Sequence, residues 1–146
     1  MAAGGLTRAL GVIGDVAVSN STSHIRHGQG SVRPYLHGPV SLPEFLQQVF
    51  GAEELERFEF GPNSFHVELR IGDSTVVVEA GDLPSDVNAW TGTVYVYVPD
   101  VDAVYAKAVA LGARPLAPID DKPYQERQAA FVDGGGNTWW IATYKQ

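Results

Sequence analysis

The sequence contains no cysteine. That excludes a disulfide, a Cys-ligated zinc and a thiol nucleophile, and it suits a reducing compartment. Positive charge is scarce: 10 Lys and Arg stand against 17 Asp and Glu, a formal net charge of −7. A nucleic-acid partner is therefore not expected, because phosphate contacts need clustered Lys and Arg. No apolar run is long enough to span a bilayer. The N-terminus carries Arg8 inside a Gly-interrupted apolar run and has no small-residue cleavage pattern. Neither a membrane anchor nor a signal peptide is expected, and the expected location is the cytoplasm. Also missing are a nucleophile elbow, a Walker sequence and a His-Glu-x-x-His motif. Gly134 to Gly136 is a turn rather than a phosphate loop, since no strand-to-helix junction accompanies it.

What is present is 146 residues, enough for one domain with its own core. Residues 1–30 are rich in Gly, Ala and Ser and show no helical period. They read as an N-terminal arm, partly flexible or adding a strand, with short strands at Val12-Ile13 and Val16 to Val18. His24 and His27 sit three apart, but Arg26 between them and the lack of a nearby carboxylate argue against a metal site.

From Val32 onward the pattern is regular. Val32 to His37 alternates as a strand, and Pro34 marks it as an edge. Ser41 to Phe50 predicts a helix with a capping box at Ser41 and Glu44 and a stripe at Leu42, Phe45, Leu46, Val49 and Phe50. Gly51 stops it. Leu55 to Phe60, Phe65 to Ile71 and Thr75 to Ala80 predict three strands joined by turns at Gly61-Pro62-Asn63 and Gly72-Asp73. Gly81 to Thr91 reads as a connector. The order then repeats. Thr93 to Val98 is a strand, and Asp100 caps a helix with the stripe Val101, Val104, Ala108 and Leu111. Arg114 to Ala117 is a short strand, Ile119 to Gln125 a Pro-containing loop. Arg127 to Val132 and Thr138 to Tyr144 are strands.

Both halves thus read strand, helix, strand, strand, strand, an internal duplication. The expected domain is 31–146, built of modules 31–81 and 92–146. One helix cannot cover both faces of a curved sheet, so the helix is expected to pack on one face of each and to leave the other concave, facing its twin module.

Strand alternation names the residues of those faces. Phe65, Val67, Leu69 and Ile71 share the apolar face of the central strand, leaving His66, Glu68 and Arg70 on the other. The matching positions elsewhere are Arg33, Tyr35 and His37, then Thr93, Tyr95 and Tyr97, then Thr138, Trp140 and Ala142. Flat aromatic walls with a few ionisable groups suit a small-molecule pocket. Plainer readings stand beside this. His66 can serve a backbone carbonyl, Glu68 can pair with Arg70 or Arg33, and Tyr95 and Tyr97 can pack on one another. Adjacent Trp139 and Trp140 leave the register of the last strand open.

The chain resembles the vicinal-oxygen-chelate superfamily of glyoxalase I, bleomycin-resistance proteins and extradiol dioxygenases, and in particular its PhnB-like branch. The resemblance runs from Val32 to Tyr144. It is carried by Arg33-Pro34-Tyr35-Leu36, Phe50-Gly51-Ala52-Glu53-Glu54-Leu55, His66 to Asp73, Tyr97-Val98-Pro99-Asp100-Val101-Asp102-Ala103, Arg127, and Asp133 to Trp139. It implies an α+β fold of two paired βαβββ modules that form a cupped mixed sheet around a ligand, usually within a homodimer.

Metal enzymes of that superfamily hold a divalent ion with one residue, typically His or Glu, from each of four strands. The matching positions here are Arg33, Glu68, Thr93 and Trp140, and only Glu68 keeps a ligand. No metal and no cofactor is therefore expected, the alternative being one divalent ion. The family's Asp-Pro-Phe-Gly turn is replaced by Asp133-Gly134-Gly135-Gly136. The expected function is a metal-free binding protein, in the manner of bleomycin-resistance proteins, that holds an aromatic or planar ligand. The contacts would come from Tyr35, His37, Arg70, Thr93, Tyr95, Tyr97 and Trp140, and the acidic balance leaves room for a cationic ligand. The alternative is a lyase, isomerase, cyclase or dioxygenase in which Glu68 or His66 is the general base or a metal ligand and Arg33 stabilises an oxyanion. A third possibility is a dimeric structural or regulatory module with a vestigial pocket.

Overall fold

The computed structural model describes residues 10–13, 16–19, 21–82 and 90–146. The chain divides into two compact units, Met1–Ser31 and Val32–Gln146. In the first, β1 (Leu10–Ile13) and β2 (Val16–Ser19) pair antiparallel. A single 3-10 turn, Arg26–Gly28, holds His27 at a φ of 65°. Most of the expected connector, 83–89, lies outside the described residues.

The second unit repeats one plan. β3 (Tyr35–Gly38), α1 (Leu42–Phe50), β4 (Glu53–Gly61), β5 (Ser64–Ile71) and β6 (Ser74–Gly81) form the first module. β7 (Thr93–Tyr97), α2 (Val101–Ala110), β8 (Arg114–Lys122), β9 (Glu126–Val132) and β10 (Thr138–Tyr144) form the second. The four-stranded sheets have corresponding orders, β3-β6-β5-β4 and β7-β10-β9-β8. In each, the strand before the helix pairs parallel with the last strand, and the other neighbours are antiparallel. A parallel pair needs a crossover, and each module's helix lies within it.

The expectation that the polar faces of the modules look at each other is corrected: the apolar faces of the two sheets meet in one core, because burying both apolar faces together removes more of them from water. Val67, Leu69 and Val78 of the first sheet and Ala129, Phe131, Trp139 and Ile141 of the second are fully buried there. α1 bridges the modules: Phe45 and Phe50 lie 6.1 and 6.2 Å from the Phe131 ring, and Phe50 lies 5.0 Å from Trp139. The register of the last strand is thereby decided. Trp139 goes inward, and its indole N–H donates to Asp133 Oδ2 at 2.7 Å.

Asp133 and Asn137 organise the turn before that strand. Asp133 Oδ1 accepts from the backbone of Gly135 and Asn137 at 2.8 and 3.0 Å. Asn137, fully buried, donates to the carbonyl of His37 at 3.0 Å and accepts from Gly92 N–H at 2.9 Å. The turn is pressed against β3. A Cβ on Gly135 would lie 2.4 Å from His37 O and 2.8 Å from the Gly38 Cα. Glycine is required there by close backbone approach.

Three further sequence expectations are corrected. Ser41 makes no side-chain cap: its backbone is helical (φ −83°, ψ −9°), whereas a capping residue is normally extended. Glu44 instead accepts from Gln48 at 3.1 Å. The segment expected as a loop from Ile119 belongs largely to β8, which runs to Lys122. β8 is an edge strand with register shifts around Ala117, and edges and bulges tolerate residues such as Pro115 and Pro118. Leu111 lies beyond the end of α2 and is exposed. Asp100 does cap α2, accepting from Ala103 N–H at 3.1 Å.

Substituting Gly135 by Ala should destabilise the protein by about 1–3 kcal/mol, the usual cost of forcing atoms into a filled site. Gly134→Ala should be nearly silent, because its nearest neighbour is a Pro39 side-chain atom at 3.4 Å. Urea unfolding of both variants checks the contrast.

Candidate functional site

Burying one face of each sheet leaves one polar face on each. On the first sheet, β5 contributes His66, Glu68 and Arg70. Cross-strand register sets Phe58 and Glu79 beside His66, and Glu56 and Val77 beside Glu68. Glu68 is 4 % exposed and therefore needs compensation. Arg33 Nη1 donates to its Oε1 at 2.9 Å, and His66 Nε2 lies 3.4 Å from its Oε2. His66 Nδ1 is 2.6 Å from Glu79 Oε1, which also accepts from the Tyr35 hydroxyl at 2.7 Å. One chain of polar contacts therefore runs Arg33, Glu68, His66, Glu79, Tyr35. Burial, reinforced by the Glu79 carboxylate, pushes the Tyr35 phenol up to about 12. His37 stacks at a tilt on Tyr35, 5.4 Å between rings, and its Nδ1 is buried without a hydrogen-bond partner. Arg70 is on the same face, with its guanidinium held by Glu53.

The second face centres on a carboxylate. Tyr95 and Tyr97 both donate to Glu126, Tyr97 at 2.6 Å to Oε2, and Gln128 donates to the Tyr95 hydroxyl at 2.6 Å. The two phenol rings meet edge to face, 5.6 Å apart at 68°. Trp140 is the register partner of Tyr95, so its indole stands on the same face; Thr93 is paired with Thr138 at the far end. Tyr95 and Tyr97 are 45 % and 63 % exposed, although Glu126 beneath them is buried. Burial and then the Glu126 carboxylate push Tyr95 up to about 12, opposed in part by Gln128. Tyr97 is raised, chiefly by its bond to Glu126. The two hydroxyls hold Glu126 below the usual carboxylate range.

The candidate residues thus fall into two groups. Arg33, Tyr35, His37, His66, Glu68 and Arg70 lie on the first sheet's face, and Thr93, Tyr95, Tyr97 and Trp140 on the second's. Among the described residues, the side-chain hydrogen bonds of Tyr95, Tyr97, Glu126 and Gln128 run only within their own sheet. A cavity of about 280 Å³ lies between β7 and the turn at Ile71 to Ser74, and it reaches Tyr95 and Tyr97.

Sequence reasoning missed Glu79, Phe58, Glu126 and Gln128. The signal was available for three of them. Val76, Val78 and Ala80 in the core put Glu79 on the other face, and Ala129 and Phe131 do the same for Gln128 and Glu126. Phe58 needed the register of a bulged pair.

The four positions implied for an ion do not suit one. Arg33, Glu68, Thr93 and Trp140 supply one carboxylate, already bonded to a guanidinium, together with a hydroxyl and an indole. Glu56 and Glu68 each offer a carboxylate oxygen, and the two lie within 4.8 Å of one another.

Residues 43–141 match the family described as Glyoxalase/Bleomycin resistance protein/Dioxygenase superfamily. The chain belongs to this superfamily. Its paired βαβββ modules are the superfamily's fold. It is similar to TioX from Micromonospora sp. ML1, at 26% identity and a TM-score of 0.60, over 77% of this chain and 98% of that one. FosX from Listeria monocytogenes, described as a genomically encoded fosfomycin resistance protein, shares the fold at 19% identity and a TM-score of 0.57, over 79% and 93% of the chains. An uncharacterized protein of Mycobacterium tuberculosis, Rv0887c, is 27% identical over 111 residues, 68% of this chain and 65% of its own length.

Tyr35 and Tyr95 should therefore ionise late in a spectrophotometric titration. Their phenols keep the proton in the folded state between pH about 10 and about 12, where the unfolded chain loses it. Stability from these two groups is full below pH about 10 and is lost as pH rises toward 12. Glu126→Gln should bring Tyr95 down only partway, because burial is the first cause of its shift, and should leave Tyr35 unmoved.

Proposed function

We propose that this protein binds a small aromatic or planar molecule, without a metal, as bleomycin-resistance-type members of its superfamily do. One observation carries the reading. Tyr95, Tyr97 and Trp140 stand together, partly exposed, on a sheet whose opposite face is dry core. Exposed aromatic surface held in fixed orientation by Glu126 and Gln128 is suited to stacking on a flat guest. The functional unit is residues 31–146 with modules 31–81 and 92–146, residues 1–30 being an arm, and it works in the cytoplasm. The tract Tyr97 to Ala103 and the Arg33-Pro34-Tyr35-Leu36 tetrapeptide favour the PhnB-like branch. Because, among the described residues, the side-chain hydrogen bonds of Tyr95, Tyr97, Glu126 and Gln128 stay within their own sheet, the cup is completed in a homodimer, with Arg33, Tyr35, His37, Arg70 and Thr93 on its walls. Ligands of this shape include antibiotics, so sequestration of a toxic natural product is the role that fits.

Quenching of tryptophan fluorescence by planar dyes such as acridine orange and riboflavin is expected. Trp140→Ala should weaken the affected binding by roughly fivefold to tenfold, the loss of about 1 kcal/mol of stacking. Unchanged affinity would remove the proposed platform. Sedimentation at the binding concentration should give a dimer. Elemental analysis of protein purified without chelator should find no stoichiometric divalent ion.

A second reading, an enzyme, is favoured by the His66–Glu79 pair. An imidazole whose Nδ1 is held by a carboxylate presents Nε2 as a general base, here beside Glu68 and Arg33. Proton abstraction next to a carbonyl is the chemistry it would serve. Deuterium incorporation into a panel of α-hydroxy ketones in D₂O, lost in the double variant His66→Ala and Glu68→Gln, would support it. Incorporation that survives the double variant would exclude both bases.

A further inference from the structure

We infer that the second sheet's face recognises the positively charged end of its ligand, a quaternary ammonium, amine or guanidine group, with Glu126 as its counter-charge. The inference rests on the aromatic platform proposed above and assigns it a polarity.

The argument starts from charge. A buried carboxylate is normally paired with a cation. Glu68 on the first sheet follows this rule through Arg33. Glu126 does not. It is buried, and its hydrogen bonds come from two neutral phenols. Lys122 is its register partner across β8 and β9, yet the Lys122 ammonium turns to Asp120 at 3.0 Å. Nearby Arg127 is taken by Asp102 at 2.7 Å and by Asp121 at 3.2 Å, and Lys145 by Asp121 at 3.3 Å. Lys122, Arg127 and Lys145 are all drawn to aspartates, so among the described residues no ion pair balances the Glu126 charge.

The phenols pass that charge to the surface. Each donates its O–H to Glu126, and both phenols are shifted upward from their ordinary value, so at neutral pH the rings are neutral and electron-rich rather than competing anions. Their near-perpendicular setting makes two walls of a corner, and Trp140 on the adjacent strand gives a third aromatic surface. Aromatic faces attract a cation within about 6 Å of the ring centroid, more strongly once it is partly desolvated. Gln128 fixes the Tyr95 hydroxyl from the other side, so the corner is built before a ligand arrives. A neutral flat guest would gain from the stacking alone and leave Glu126 unbalanced.

The test compares two molecules of one shape, (4-hydroxyphenyl)trimethylammonium and 4-tert-butylphenol, by calorimetry on the full chain. The cation should bind at least about fivefold more tightly, and rising salt should erode only that preference. Glu126→Gln keeps the shape and one of the two acceptor oxygens while removing the charge, and it should abolish the preference, bringing the ratio of the two affinities to about one whatever its effect on 4-tert-butylphenol itself. Equal binding of the two by the unmodified protein would overturn the inference and leave the aromatic platform standing, and needs no variant to fold. A preference that survives Glu126→Gln would also overturn it. Failure of both molecules to bind would overturn the inference and the platform together.

Discussion

One core serves both sheets, and most of the molecule follows from that constraint. Strands alternate their faces, so committing Val67, Leu69, Phe131, Trp139 and Ile141 to a common interior forces their neighbours onto the opposite sides. Those neighbours are His66, Glu68, Trp140 and Gln128. The polar constellation is the complement of the packing. α1 enforces it, because Phe45 and Phe50 leave their own module to pack on Phe131 and Trp139.

The two polar faces solve the same electrostatic problem differently. On the first, a buried carboxylate is matched by a guanidinium, and an imidazole links it to a second carboxylate that a phenol supports. On the second, neutral donors hold the carboxylate and pull it below its ordinary range without cancelling its charge. The duplication is therefore architectural. The modules share strand order and pairing sense, while the chemistry mounted on them has diverged.

Legibility followed the strength of the periodic signal. The helices, the succession of elements along both modules and the face assignments of β5 and β7 could be read from alternation and from glycine stops such as Gly51, at φ 66°. The Ser41 cap was misread because a Ser-x-x-Glu spacing says nothing about the backbone angle at Ser41. β8 was cut short because Pro115 and Pro118 look like breakers, whereas an edge strand with register shifts accommodates them. In the site, the alternating residues were found, and the partners that give them meaning were not. Glu79 and Glu126 acquire their roles only through cross-strand register, a three-dimensional fact. The order of Trp139 and Trp140 was settled by a hydrogen bond to Asp133, six residues away.

Asn137 has a mechanical consequence. Its amide ties the carbonyl of His37 in one module to the Gly92 amide at the entrance to the other, from a position with no exposure to water. Any rotation of one half against the other must break these bonds where no solvent can replace them. The halves of a chain are riveted, and a hinge at this seam is disfavoured. What give the domain has falls instead to its surface turns and to side-chain rotation.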